Sequence, residues 1–171
     1  MTKSQKARIA GIAALLAGVA ASGALAQAPT LAFRQLVPEA ALLIAQEALN
    51  ACRKSGFQTS VAVVDRAGIL QVLLRDRYAG PHSVRISVNK AWTAASFRTS
   101  TQELARATQP GQAMSGLRNQ PRVAAIGGGL PIEAGGQLLG GIGVSGAPGG
   151  EADEHCARAG IESMRAELEL Q

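Results

Sequence analysis

The residues best suited to chemistry lie in one alanine-rich stretch, Ser83–Ala105. Its apolar residues recur at roughly helical spacing, which predicts a helix with one side turned towards a core. The remaining residues give that helix a second side with cations and a hydroxyl: Arg85, Lys90, Thr93 and Arg98. Such a side is an unusual choice for packing alone. An ordinary core helix with solvated charges explains the same pattern, so both interpretations stay open.

An S-x-x-K pattern lies within the same stretch, at Ser87 and Lys90. On a helix these two residues share a face, so a lysine base could reach the serine hydroxyl of a penicillin-recognising hydrolase. The companion S-D-N and K-T-G elements are absent, and the chain is short for such a fold. A hydrolase is therefore the weaker alternative, of a different class.

A second enzyme-like pattern, G-x-G-x-x-G, runs from Gly141 to Gly146. Dinucleotide binding requires a strand before this motif and a helix that opens inside it. Here the glycines fall inside a predicted strand, and Ala147-Pro148 follows them. We therefore reject nucleotide binding. The glycine-dense strand instead indicates that another element packs closely against its backbone.

Potential metal ligands cluster between Glu151 and Cys156. Glu151 and Glu154 share a helix face and could hold ferric iron, with Asp153 nearby. Acidic residues also favour helix N-termini without any metal, and that simpler explanation carries more weight. His155 is expected on the solvent side, because adjacent helix residues point in different directions and zinc spacing is missing.

Several elements must position these residues. A helix is predicted from Pro38 to a stop at Gly56, followed by a hairpin of Thr59–Asp65 and Ile69–Arg75. Ser100 and Glu103 form a capping box for a short helix after the central one. A second hairpin turns at Ala134-Gly135-Gly136, and a last helix covers Glu151–Leu168. This order predicts an α+β domain whose antiparallel sheet is covered by helices.

The first 26 residues have the pattern of a signal peptide. A basic segment precedes an apolar run, and Ala24-Leu25-Ala26 is an A-x-A-like cleavage site, so we expect residues 27–171 to form one exported domain. The run is too short for a stable membrane anchor, so no membrane insertion is expected after cleavage. Cleavage would remove three of the 17 basic residues, leaving 14 against 12 acidic ones. That balance, with few aromatic residues, argues against nucleic-acid binding.

Two cysteines, Cys52 and Cys156, fall on predicted helices near opposite ends of the domain. Export would place them in an oxidising compartment, where a disulfide between the two helices is feasible. Two buried free thiols are equally compatible with the sequence, because spacing alone does not bring them within bonding distance.

With these elements in place, the sequence resembles the GlcG/HbpS family, whose members include haem-degrading-domain proteins, from about Pro38 to Ile161. The residues that carry the resemblance are Val64-Asp65-Arg66-Ala67-Gly68, Ala79-Gly80-Pro81, Lys90-Ala91-Trp92-Thr93-Ala94, Gly128-Gly129-Leu130-Pro131-Ile132, Gly141 to Pro148, Asp153-Glu154 and Ala159-Gly160. The resemblance implies a profilin-like fold, with α/β/α layers around a five-stranded antiparallel sheet. It also implies a homo-oligomer.

The same resemblance implies haem as the cofactor, with haem degradation and iron release left open. Thr93 occupies the position linked to haem ligation, and Glu151 with Glu154 matches an acidic pair linked to iron. Neutral imidazole is the stronger iron ligand, so we expect His82 to ligate the iron while Thr93 lies in the pocket. Haem propionates could pair with cations of the central helix: Lys90, Arg85 and Arg98. The alternative is a non-catalytic oligomeric module that binds another small ligand or supports redox sensing.

Overall fold

The computed structural model describes residues 30–170, and the folded unit begins at Phe33. The expected signal peptide and its cleavage site lie outside the described residues. Within the described part of the chain, no helix is long and apolar enough to cross a membrane.

Within residues 30–170, five α-helices and four strands follow one another in the order predicted, apart from a break in the last helix. Their bounds are α1 Pro38–Lys54, β1 Ser60–Asp65, β2 Leu70–Arg75, α2 Pro81–Phe97, α3 Thr101–Ala107, β3 Gly129–Ala134, β4 Gln137–Ser145, α4 Gly150–Glu162 and α5 Arg165–Glu169. A 3₁₀ turn at Ser115–Asn119 lies between α3 and β3.

The sheet has four antiparallel strands in the order β2-β1-β4-β3. Both predicted hairpins are confirmed, and β1 and β4 join them at the centre of the sheet. The expectation of five strands is wrong for the described residues. Between α3 and β3 the chain is broken by Pro110, Gly111, Gly116 and Pro121, and prolines and glycines are poorly suited to a further strand.

Helices α1 and α4 cover one face of the sheet over the main apolar core. A disulfide joins Cys52 of α1 to Cys156 of α4, and both residues are buried there. Of the two alternatives for these cysteines, the disulfide is the one observed. Gly160 lets α1 approach α4 closely, because a Cβ at this position would lie 2.5 Å from the Ile44 carbonyl oxygen.

Helix α2 lies across the other face, directly on the glycines of β4. A Cβ at Gly141 would lie 2.5 Å from the Ala91 carbonyl oxygen, and one at Gly143 would collide with the backbone of Ser87. The glycine-rich strand therefore serves close helix–sheet packing, as predicted, and not a phosphate. The contact of α2 with the β4 glycines therefore sets a short distance between this helix and the sheet.

Three details of the helices differ from, or refine, the prediction. The last helix breaks after Glu162 and restarts at Arg165, so it is not continuous to Leu168. Ser100 caps α3 by accepting a hydrogen bond from the Glu103 N–H, as the capping box predicted. The central helix begins at Pro81, two residues before the stretch predicted from Ser83, so His82 lies in its first turn.

Candidate functional site

A pocket of about 250 Å³ opens where the first two turns of α2 face the loop between β4 and α4. One wall consists of His82 and Ile86, Ile126 forms a second, and the loop supplies a third. The pocket also contacts two buried charged side chains, Lys90 and Asp153. It is bounded by His82, Ile86, Lys90, Ile126, Ser145–Gly150 and Asp153.

His82 stands at the rim of this pocket with an exposed imidazole. The ring folds back over Gly80, where an added Cβ would lie 2.5 Å from His82 Cε1. Glycine at position 80 therefore leaves room for the ring in this orientation. An exposed imidazole beside apolar side chains can act as a ligand to iron.

Lys90 is fully buried, contrary to the expectation that it lies on a cationic surface. Its Nζ donates hydrogen bonds to Asp153 Oδ2 at 2.7 Å and to the Val144 carbonyl oxygen at 2.8 Å. Burial lowers the pKa of Lys90 and raises the pKa of Asp153, while the attraction between the two groups opposes both shifts. With its charge engaged in this way, Lys90 is a poor partner for a haem propionate.

Gly128 makes room for this ion pair. Its φ is +111°, and a Cβ there would lie 2.6 Å from Asp153 Cβ and 2.8 Å from Lys90 Nζ. Asp153 Oδ1 also accepts a hydrogen bond from the Ala147 N–H, which ties the loop to α4. The ion pair thus connects α2, β4 and α4 beneath the pocket.

Thr93 is also fully buried, and its hydroxyl is already in use. Oγ1 accepts a hydrogen bond from the Ala124 N–H at 2.9 Å and donates one to the Arg122 carbonyl oxygen at 3.2 Å. These bonds hold the segment 121–126, which ends at Ile126 in the pocket wall. The structure therefore gives Thr93 a role in positioning this wall.

The two arginines expected to meet propionates are both exposed, but at opposite ends of α2. Arg85 lies one turn after His82 and is near the pocket rim by helix geometry. Arg98 caps the far end of the helix in a left-handed conformation, with φ of 51°. Of the two, only Arg85 lies at the same end of the helix as His82.

The acidic pair Glu151 and Glu154 lines a separate shallow pocket on α4, together with His155. Arg106 and Arg158 share that pocket, and Arg158 donates a hydrogen bond to Glu154 at 3.0 Å. Across residues 30–170, no group of three histidine, cysteine or acidic side chains has metal-binding geometry. Iron binding by this pair stays a prediction.

The hydrolase alternative has no support in the geometry of Ser87. Its hydroxyl donates to the Val84 carbonyl oxygen at 2.9 Å, and Lys90 is engaged by Asp153. The dinucleotide motif lies within β4 and the turn that follows, as predicted.

The pocket residues Ile86, Ile126 and Ser145 were not predicted from the sequence, and neither was Asp153 as the partner of Lys90. A lysine among alanines in a helix was the available signal for a buried partner. Which residue pairs with Lys90 depends on how the loop after β4 folds, and the spacing of residues along the chain does not reveal that.

The chain is similar to known proteins over most of its described residues. Residues 36–162 match a family model described as haem degrading protein HbpS-like. A crystal structure of a double variant of Streptomyces reticuli HbpS is 40% identical, with a TM-score of 0.73, over 81% of this chain and 98% of that one. The PduOC:heme complex is 31% identical, with a TM-score of 0.71, over 75% of this chain and 94% of that one.

Among curated sequences, a 15.0 kDa protein from the dhaT–dhaS intergenic region of Citrobacter freundii is 42% identical over 87 residues, or 50% of this chain. The chain spans 61% of that protein's length. The corrinoid adenosyltransferase PduO of the same organism is 41% identical over 88 residues, which are 50% of this chain. The chain spans 26% of the length of that protein.

Proposed function

The chain belongs to the HbpS-like family, and on that basis we propose that it binds haem at the pocket beside His82. The observation that carries the proposal is an exposed imidazole at the rim of an apolar-walled pocket. The likeness to PduOC, a protein of the same fold whose structure contains haem, supports it.

The described residues fit a haem group at this position. His82 offers a nitrogen ligand for iron, and Ile86 and Ile126 offer apolar surface for the macrocycle. Arg85 is an exposed cation one turn away that can pair with a propionate. Bound haem would supply the redox-active iron, while these residues bind and orient it.

The pocket is small compared with the cavities of about 300–1,000 Å³ that enclose small ligands. We therefore propose that residues at the mouth of the pocket, His82, Ile86 and Ile126, would hold a haem group that the pocket is too small to enclose. Such a ligand would be held by the iron–imidazole bond and by contact with one apolar wall. Moderate affinity is the expected consequence.

A hemin titration of the purified domain tests the proposal. We expect a saturable Soret band that reaches its maximum at about one hemin per chain. If stoichiometric hemin gives the spectrum of free hemin, the chain does not bind haem. Haem degradation is tested by adding hydrogen peroxide to the hemin-bound protein. Degradation would give a loss of the Soret band together with release of iron.

We also propose that the protein is exported, to the periplasm or beyond the cell. The signal-like first 26 residues support this, and so does the buried Cys52–Cys156 disulfide, since disulfides persist in oxidising compartments. Intact-mass measurement of protein from the extracytoplasmic fraction is expected to give a chain that begins at Gln27. A mass that retains Met1 to Ala26 would contradict cleavage.

A further inference from the structure

Two helix N-termini meet at the pocket beside His82. The first turn of α2 contributes His82, and the start of α4 contributes Gly149 and Gly150. Neither helix has a side chain that caps its first N–H groups, and α2 has no acidic residue in its first turn. Uncapped N–H groups and the positive end of the helix dipole favour an anion at this position.

The charged side chains at the pocket do not oppose an anion. Asp153 is the only carboxylate among the lining residues, and it is engaged by Lys90 and by the Ala147 N–H. Of the two acidic residues in the first turn of α4, Asp153 is neutralised by Lys90 when both groups are ionised, so the pair does not cancel the positive ends of the two helices. Glu151 is exposed next to this start of α4 but does not line the pocket.

Ser145 gives a second, independent indication of a ligand. It is 95% buried at the end of β4 and lines the pocket, with a relative exposure of 5%. Its hydroxyl makes no hydrogen bond to any of residues 30–170, and its oxygen is not one of the fully enclosed unpaired oxygens, so it is accessible from the pocket. A hydrogen-bond acceptor in the pocket would satisfy this group.

We propose that this pocket binds a carboxylate group, held by the Ser145 hydroxyl and the N–H groups at the start of α4. A carboxylate accepts several hydrogen bonds at once, and it is small enough to enter a pocket of about 250 Å³. The carboxylate comes either from a haem propionate or from a free short-chain acid. The first source rests on the proposed function, whereas the second is independent of it.

Two ligands distinguish the sources. To test for a haem propionate, the affinity for hemin is compared with the affinity for its iron-containing dimethyl ester by Soret titration. To test for a free acid, propionate is added to ¹⁵N-labelled protein and the amide signals of Ser145, Gly149 and Gly150 are followed. A propionate anchor predicts that the ester binds about tenfold more weakly than hemin, the loss expected for a charge-assisted hydrogen bond. A free-acid site predicts saturable shifts of those amides with propionate and none with chloride.

A pair of variants at the α4 N-cap isolates the charge. No atom lies within 4 Å of a Cβ built at Gly149, and its φ of −164° suits any residue, so Gly149→Asp and Gly149→Asn both fit and both cap α4. The aspartate variant is expected to bind the carboxylate ligand about tenfold more weakly than the asparagine variant. Ser145→Ala is expected to weaken it several-fold, and Ser96→Ala, an exposed serine outside the pocket, is expected to have no effect.

The proposal is overturned if the ester binds as tightly as hemin and propionate shifts none of these amides. In that case haem binding itself still stands. If hemin fails to bind while propionate shifts the amides, the carboxylate site stands and the haem proposal fails.

Discussion

At the scale of single residues, Thr93 and His82 have different roles at the pocket. Thr93 is buried, and both its donor and an acceptor position are used by the segment 121–126. His82 is exposed at the pocket rim. The threonine shapes the wall of the pocket, and the histidine faces any ligand that enters it.

We predict that Thr93→Val lowers hemin affinity without changing the type of axial ligand. Valine keeps the shape of threonine but cannot hold Arg122 and Ala124, so Ile126 loses its fixed position. The expected result is several-fold weaker binding with an unchanged Soret maximum, whereas Thr93→Ser retains the hydroxyl and restores affinity. A shifted Soret maximum in Thr93→Val that Thr93→Ser restores would instead make the Thr93 hydroxyl the ligand.

A second residue-scale prediction concerns the buried ion pair. Asp153→Asn removes the partner of Lys90 and leaves a buried ammonium, which costs about 3–5 kcal/mol of the free energy of unfolding. Urea denaturation measures the loss. Glu162→Gln, which breaks the exposed pair with Arg165 at the far end of α4, is the control and is expected to change stability little. Equal effects of the two variants would contradict the importance of burial.

A third prediction concerns pH. Hydrogen bonds from Arg53 hold the pKa of the buried Asp76 carboxyl below its ordinary value of 3.8. The folded state therefore binds a proton at Asp76 less readily than the unfolded state does. Asp76 contributes stability above about pH 3.8, and this contribution is lost as the pH falls through the folded-state pKa.

Asp76→Asn removes that contribution. Urea denaturation at pH 6 and at pH 3 is expected to show a smaller loss of stability on acidification in the variant than in the parent. An identical loss in both proteins would show that Asp76 titrates normally in the folded state.

At the scale of elements, the positions of both hairpins and of the first three helices were predictable from the sequence. Alternating β-branched strands, a glycine-rich turn and the Ser100 capping box are local signals, and local signals determine where elements begin and end. The break of the last helix at Ser163-Met164 was not predicted, because the residues on both sides favour a helix. The pocket was not predicted either. It forms where α2 meets the loop after β4, and these two segments are far apart in the sequence.

The disulfide between α1 and α4 provides the element-scale prediction. Replacing both Cys52 and Cys156 by alanine is expected to cost about 2–5 kcal/mol of stability, since the bond closes a loop of 104 residues in the unfolded chain. Urea denaturation with and without dithiothreitol measures this. The parent is expected to lose stability on reduction, and the double variant is expected to be insensitive to the reductant. A parent that is equally stable in both conditions would show that the bond does not form.

At the scale of the whole molecule, apolar side chains remain exposed on β2, at the residue before it and on the outer side of α1. They include Leu42, Leu43, Ile69, Leu70 and Leu73. Exposed apolar surface of this kind supports the prediction that the domain forms a homo-oligomer. Light scattering across a dilution series is expected to give a multiple of the chain mass, and a monomer mass at every concentration would contradict it.

The most direct test of haem binding beside His82 is a hemin titration of two single variants. The chain has two histidines, and both are exposed, so His155→Ala is a matched control for His82→Ala. We predict that His82→Ala shifts the Soret maximum and weakens hemin binding at least tenfold, while His155→Ala leaves the parent spectrum and affinity unchanged. If His82→Ala binds hemin with the parent spectrum and affinity, the iron is held elsewhere and the account of this pocket is wrong.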